Sequence, residues 1–235
     1  MNIFYATDIL NNRFTFSETE SKHIIKVLRL KTNDIVNIVD GLGNLYTAKI
    51  VNENPKKCQV EIQNVETEYN KQDFNLTIAI APTKNNDRFE WFCEKSTEIG
   101  ITKIIPFISF HSERRNIKPE RFKKKIISAI KQSIKAYMPE FSDLIKFNDL
   151  IKTEFNGKKF IAHCNDAVKE KSHLKEKYNK GENALILIGP EGDFSEEEVK
   201  LAIENGFEEI TISKSRLRTE TAGIVVTEII NFINE

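Results

Sequence analysis

The order of apolar and turn residues predicts an α/β chain in two parts: a small N-terminal β-barrel, then a larger domain on a mostly parallel sheet. Three observations carry this. Up to residue 70 the pattern is one of short strands with a glycine-rich turn, and beyond the polar run Glu66–Asp73 it becomes strands alternating with helices. The later strands are nearly continuous apolar runs, the pattern of strands covered on both faces. A length of 235 residues suits a small domain at 1–70 followed by a medium one at 74–235.

The elements follow in order. Ser17-Glu-Thr-Glu20 has capping-box spacing and opens a short helix whose apolar stripe is Ile24, Ile25, Val27 and Leu28. Val36–Asp40 and Leu45–Val51 flank Gly41-Leu-Gly-Asn44 as a hairpin, and Gln59–Gln63 alternates as the next strand. In the second part, Leu76–Ala81, a helix capped at Asp87 and closed by Gly100, and the strand Lys103–Ile108 form a β-α-β unit. Pro119 starts a basic helix expected to reach about Tyr137. Strands follow at Lys159–His163 and Ala184–Ile188, then a helix boxed by Ser195 and Glu198, a strand at Glu209–Ile212, and a last helix from about Glu220 to Ile233. That helix is apolar nearly all round, so it is expected to be buried against the sheet or a partner subunit.

Lysine plus arginine and aspartate plus glutamate number 35 each, but the charges are segregated. From Arg114 to Lys135 nine basic residues face one acid, Glu120, whereas from Glu191 to Glu209 eight acids face Lys200 alone. The first stretch is a candidate phosphate-tracking face, and equally the pattern of a solvated helix. Cys58, Cys93 and Cys164 lie far apart without a CxxC pair, which suggests reduced, partly buried residues and neither disulfide framework nor zinc site. Nothing resembles a signal peptide or a membrane span, so a soluble cytoplasmic protein is expected.

The common nucleotide-binding and hydrolytic signatures are missing. There is no GxGxxG, GxxxxGK[ST] or GxSxG, and His23, His111, His163 and His173 lack metal-ligand spacing. Two segments remain. Gly189-Pro-Glu-Gly192 sits where an apolar strand ends and a capped helix begins, the position at which open α/β sheets bind ligands. By spacing alone it is also what an ordinary strand-to-helix turn looks like. Ser213-Lys-Ser-Arg-Leu-Arg-Thr-Glu-Thr-Ala222 follows the next strand and brings Arg216, Arg218, Thr219 and Glu220 to a helix amino terminus, where an anion is favoured. Helix capping with solvated arginines explains that segment equally well.

In this order, one strand apart, the two segments resemble the family of RNA uridine-N3 methyltransferases acting on small-subunit ribosomal RNA, within the SPOUT superfamily of knotted methyltransferases. The resemblance spans the chain. It includes His23-Ile-Ile-Lys-Val-Leu-Arg29, Lys84, Glu94-Lys-Ser-Thr-Glu-Ile-Gly-Ile101, Ser112-Glu-Arg114 and Gln132-Ser133. Asp193 stands where the family usually has a second glycine, and Ser213 where it often has one.

The resemblance implies a PUA-like RNA-binding barrel, a trefoil-knotted SPOUT domain, an obligate homodimer, and S-adenosylmethionine as methyl donor to N3 of a uridine in 16S ribosomal RNA or the small subunit. It implies a cofactor site of Ile188, Gly189, Pro190, Glu191, Gly192, Ile212, Ser213, Leu217, Arg218 and Thr219. Uracil N3 is a weakly acidic imide, so Arg218 is expected to stabilise the developing oxyanion and Glu191 or Glu220 to accept the proton. Lys26, Arg29, Lys84 and Arg114 are candidates for the RNA backbone. Two other readings stand beside this one: a ribose 2′-O-methyltransferase of the same superfamily, and a non-catalytic RNA-binding protein of ribosome assembly.

Overall fold

The computed structural model describes residues 2–9, 12–164 and 171–235, which fold as two compact units. The first joins Met1–Lys71 to Ile130–Met138. Its elements are β1 (Ile3–Tyr5), β2 (Arg13–Thr15), α1 (Glu18–Lys22), β3 (Ile35–Val39), β4 (Leu45–Asn52) and β5 (Gln59–Glu66). They form one five-stranded sheet in the order β1-β3-β4-β5-β2, antiparallel except for the β1–β3 pair. Its core gathers Phe4, Phe16, Ile24, Val36, Ile38, Ala48, Ile50 and Val60. The hairpin turn is held by Asp40, whose Oδ1 accepts from the Leu42 and Asn44 amides at 2.7 and 3.1 Å.

The helix of this unit departs from its expected shape. Ser17 caps α1, accepting from the Glu20 amide at 3.3 Å. The chain then passes into a π-helical turn, His23–Val27, closed by a bond from the Leu28 amide to His23 O. The wider turn rotates later positions off the α-helical stripe, so Ile24 is buried while Val27 and Leu28 are exposed.

The second unit, Gln72–Ala129 with Pro139–Glu235, contains β6 (Leu76–Ile80), α2 (Asn86–Ile99), β7 (Lys103–Ile108) and most of α3 (Pro119–Ser133). These are followed by β8 (Glu140–Phe141), β9 (Ile145–Lys146), α4 (Phe147–Leu150), β10 (Lys158–Ala162), α5 (Leu174–Lys177), β11 (Ala184–Ile188), α6 (Glu196–Glu204), β12 (Glu208–Ile210) and α7 (Thr219–Asn234). The strands are ordered β12-β10-β11-β6-β7-β8, with β9 also on β7, and every pair is parallel. From β6 the chain moves outward to β7, crosses to β10, and returns to fill the gap with β11. That reversal is a topological switch.

Central strands β6 and β11 are buried at every position. One core combines Ala79, Phe107, Ile161, Leu185 and Leu187 of the sheet with Phe194, Val199 and Ala202 around α6. Elsewhere α7 lies against α2 and β6, and a Cβ on Gly223 would come within 2.5 Å of the Phe92 ring. Only part of α7 is covered, however, and Phe232 is exposed.

Two helix ends differ from the sequence expectation. Helix α2 is capped by Asn85, whose Oδ1 accepts from the Asp87 amide at 2.9 Å, so it begins before Asp87. Helix α3 stops at Ser133 because Ile134 turns left-handed at φ 56°, and Lys135–Tyr137 lie outside it. No helix among the described residues is long and apolar enough to cross a membrane.

Candidate active site

Three adjacent parallel strands, β12, β10 and β11, end at the same edge of the sheet, and the loops beyond them enclose a cavity of about 400 Å³. Strand β10 brings Ala162, His163 and Cys164. Strand β11 leads into Ile188, Gly189, Pro190, Glu191 and Asp193. The segment after β12 supplies Thr211, Ile212, Ser213, Ser215, Arg216, Leu217 and Arg218, and α7 closes the cavity with Thr219 and Ala222. The size lies within the ~300–1,000 Å³ of small-molecule sites. The wall mixes aliphatic residues such as Ile188, Ile212 and Leu217 with polar and charged ones such as His163, Glu191 and Arg218.

The two loops are clasped together. Thr219, buried at the start of α7, donates its hydroxyl to Gly189 O at 3.0 Å. Gly189 leaves little room for a side chain, since a Cβ there would meet the Phe194 ring at 3.0 Å. Asp193 carries the rest of the loop. It adopts φ 62°, a left-handed conformation that aspartate tolerates better than most residues. Its Oδ1 accepts from the Phe194 amide at 2.9 Å and its Oδ2 from the Cys164 amide at 2.7 Å. Asp193 thus holds a left-handed turn of the loop and ties it to the end of β10.

The two candidate acids have different surroundings. Glu191 is exposed, lines the cavity, and accepts from the Lys84 amide at 3.0 Å. Glu220 is 5% exposed and is not among the cavity-lining residues. One of its oxygens lies 3.7 Å from Arg88 Nε, and Oε2 is buried with no hydrogen-bond partner. Arg218 is exposed at the cavity wall. Gly192 lies outside the lining, its Cα packed close to His111.

The candidate RNA contacts belong to both units. Lys26 and Arg29 are exposed in the first unit, Arg29 in a left-handed conformation at φ 59°. Lys84, in the second unit, is exposed and pairs with Glu113 at 2.9 Å. Arg114 is half-buried and staples the β6–α2 loop, donating to Thr83 O at 2.9 Å and to Lys84 O. Along α3, Arg121 pairs with Asp87 and Glu90, Lys123 with Glu120, and Lys125 with Glu90, so part of the basic run is internally neutralised.

Sequence reasoning missed the contribution of β10. His163 lines the cavity with its side chain 1% exposed, bonded to Glu209 at 2.9 Å and to Lys171. Burial first, and then the Lys171 charge, lower its pKa below the ordinary imidazole value. Cys164 is exposed, whereas burial pushes the Cys58 thiol up to about 11 and Cys93 well above its usual value. The available signal was the rule that ligands gather beyond the carboxyl ends of strands; applied to Lys159–His163, it would have flagged His163 and Cys164. Among the described residues no group of His, Cys, Asp and Glu is arranged to hold a metal.

A family model described as the RNA methyltransferase domain matches residues 70–231, which include every residue of this cavity. The chain belongs to the RNA methyltransferase family. A second model, described as the RNA methyltransferase PUA domain, matches residues 16–63. Among solved structures of RNA methyltransferases, a probable rRNA-methyltransferase from Porphyromonas gingivalis is 39% identical with a TM-score of 0.93, covering 100% of this chain and 98% of that one. A ribosomal RNA small subunit methyltransferase E from Neisseria gonorrhoeae, solved bound to S-adenosyl methionine, is 26% identical with a TM-score of 0.87 and covers 100% and 98%. The ribosomal RNA small subunit methyltransferase E of Aquifex aeolicus is 27% identical over 99% of this chain and 100% of its own length.

Proposed function

We propose that this RNA methyltransferase transfers a methyl group from S-adenosylmethionine to N3 of a uridine in small-subunit ribosomal RNA. The observation that carries the reading is the cavity closed by the Thr219–Gly189 clasp at the carboxyl edge of β10, β11 and β12, in a chain that matches a ribosomal RNA small subunit methyltransferase along nearly its whole length. S-adenosylmethionine, when bound, supplies an electrophilic methyl on a sulfonium. Main-chain groups of Ile188, Gly189, Pro190, Ile212, Ser213 and Leu217 are assigned to hold it, and Gly192 to let the loop pack closely behind them.

The chain's remaining task is the imide proton. Uracil N3 is a poor nucleophile until that proton is taken or the ring anion is stabilised. We assign Arg218 to the developing oxyanion, a role that gains strength once water is excluded from the cavity. Proton acceptance is assigned to Glu191, which lines the cavity, in preference to Glu220, whose carboxylate reaches Arg88 instead. Uracil N3 lies in a Watson–Crick pair when paired, so the target must be unpaired or flipped out. Residues 1–70, with Lys26 and Arg29, are assigned to hold RNA, and residues 74–235 to form a trefoil-knotted SPOUT domain that pairs as a homodimer, acting in the cytoplasm.

Mass spectrometry of nucleosides from small-subunit RNA of cells lacking the gene tests this. The expected result is loss of one N3-methyluridine, restored by the purified protein with S-adenosylmethionine. Loss of a ribose-methylated nucleoside would move the reaction to the 2′ oxygen, and an unchanged profile would remove the enzymatic reading.

A further inference from the structure

Phe110 follows β7 at the same carboxyl edge as the cavity, two strands from β11, a separation of about 10 Å at the usual inter-strand spacing. Its ring is 70% exposed, yet the backbone beneath is tightly held. The Phe110 amide donates to Glu198 Oε1 at 2.8 Å, and the other oxygen of that buried carboxylate caps α6 through the Ser195 amide at 3.0 Å. The Ser109 amide donates to Ser112 Oγ at 2.9 Å, and the Ser112 amide returns to Ser109 O at 3.1 Å. The ring is therefore held outward by a fixed turn.

This turn is joined to the cavity wall. The His111 ring stands edge-on to Phe110, with centroids 4.9 Å apart at 81°. Its Nδ1 lies 3.1 Å from Asp193 O, and its Cβ packs so closely on Gly192 that a side chain there would approach to 2.9 Å. The loop that carries the ring is itself cationic. Arg115 and Lys118 are exposed in the same loop, Arg115 reaching Phe110 O at 3.5 Å, and the loop's one acid, Glu113, is paired with Lys84.

We propose that Phe110 is a stacking platform for an unpaired base of the RNA substrate, flanking the base that enters the cavity, with Arg115 and Lys118 holding the adjoining phosphates. The inference rests on the functional reading above and deepens it. Flipping one base out of a stack deprives its neighbours of a partner. An aromatic face replaces that partner without reading sequence, and cations beside it suit a phosphate-linked chain better than an apolar protein surface.

The test uses the full chain, S-adenosylmethionine, and small ribosomal subunits from cells lacking the gene. Phe110→Ala is expected to lower kcat/KM for the subunits roughly five- to hundred-fold, chiefly through KM. Affinity for S-adenosylmethionine and the sedimentation coefficient should stay unchanged. Phe110→Trp is expected to retain activity and Phe110→Leu to behave like alanine, because leucine keeps the apolar area without the π face. Leucine working as well as phenylalanine would overturn the stacking role. So would normal kinetics for the alanine variant, or dissociation of an oligomer on substitution, which would make the ring part of a protein interface. If the unaltered chain failed to methylate the subunits, the functional reading itself would fall.

Discussion

The two sheets use their strands differently. In the first unit, strands such as β4 alternate buried and half-exposed positions, so a strand offers side chains to solvent along its length. In the second, β6 and β11 are buried throughout and present nothing until they end. A strand covered on both faces serves packing alone, and any chemistry is pushed to the loops at its carboxyl end. In this chain the division between stabilising and reacting residues therefore falls at the ends of the parallel strands.

Substitutions on either side of that boundary should separate activity from stability. The largest effect is expected at the edge: Arg218→Ala should lower kcat by about 10²–10³-fold while melting temperature and S-adenosylmethionine affinity hold, as for loss of one oxyanion donor. Turnover within a few-fold of normal would remove Arg218 from the chemistry. A step inside the sheet the pattern should invert. Ile186→Ala, at a fully buried position of β11, should cost about 2–5 kcal/mol in urea unfolding, whereas Asn64→Ala, exposed on β5, should stay within ~0.5 kcal/mol. Equal costs at the two sites would erase the contrast.

Thr219 sits on the boundary. Thr219→Val keeps the shape but removes the donor to buried Gly189 O, so unfolding should cost about 1–3 kcal/mol and cofactor affinity should fall with it. A loss of stability with unchanged affinity would show that the clasp serves the fold alone.

The smallest effect concerns pH. His163 has a lowered pKa in the folded protein, so the unfolded chain binds its proton first as the medium acidifies. Its contribution to stability is therefore fully present above the ordinary imidazole value of about 6.5 and declines as pH falls below it. Thermal unfolding between pH 7.5 and 5.5 should show this slope, and His163→Gln should flatten it; an unchanged slope would assign it to other groups.

Much of this was legible in the sequence because its causes are local. The hairpin strand β4 beside its glycine-rich turn, the continuous apolar run of β11 and the Ser195–Glu198 capping box depend on neighbours in the chain, and each lies where its pattern put it. The apolar period of the first helix misled at Val27 and Leu28, because a single π-helical turn changes which residues share a face without changing composition. Expectations for α7 were half informative. Its apolar character predicted burial, but periodicity does not say what covers each side, and Phe232 is exposed.

By itself the sequence determined the kinds of element, the parallel character of the second sheet and the two loops worth attention. Only tertiary structure decided that β10 lies between β11 and β12, because strand order depends on crossovers and leaves no trace in local pattern. That order brings His163 and Cys164 to the cavity, lets Asp193 bridge two loops, and separates Glu191, which lines the cavity, from Glu220, which faces Arg88. Residues far apart in the chain become neighbours only when the sheet has chosen its order.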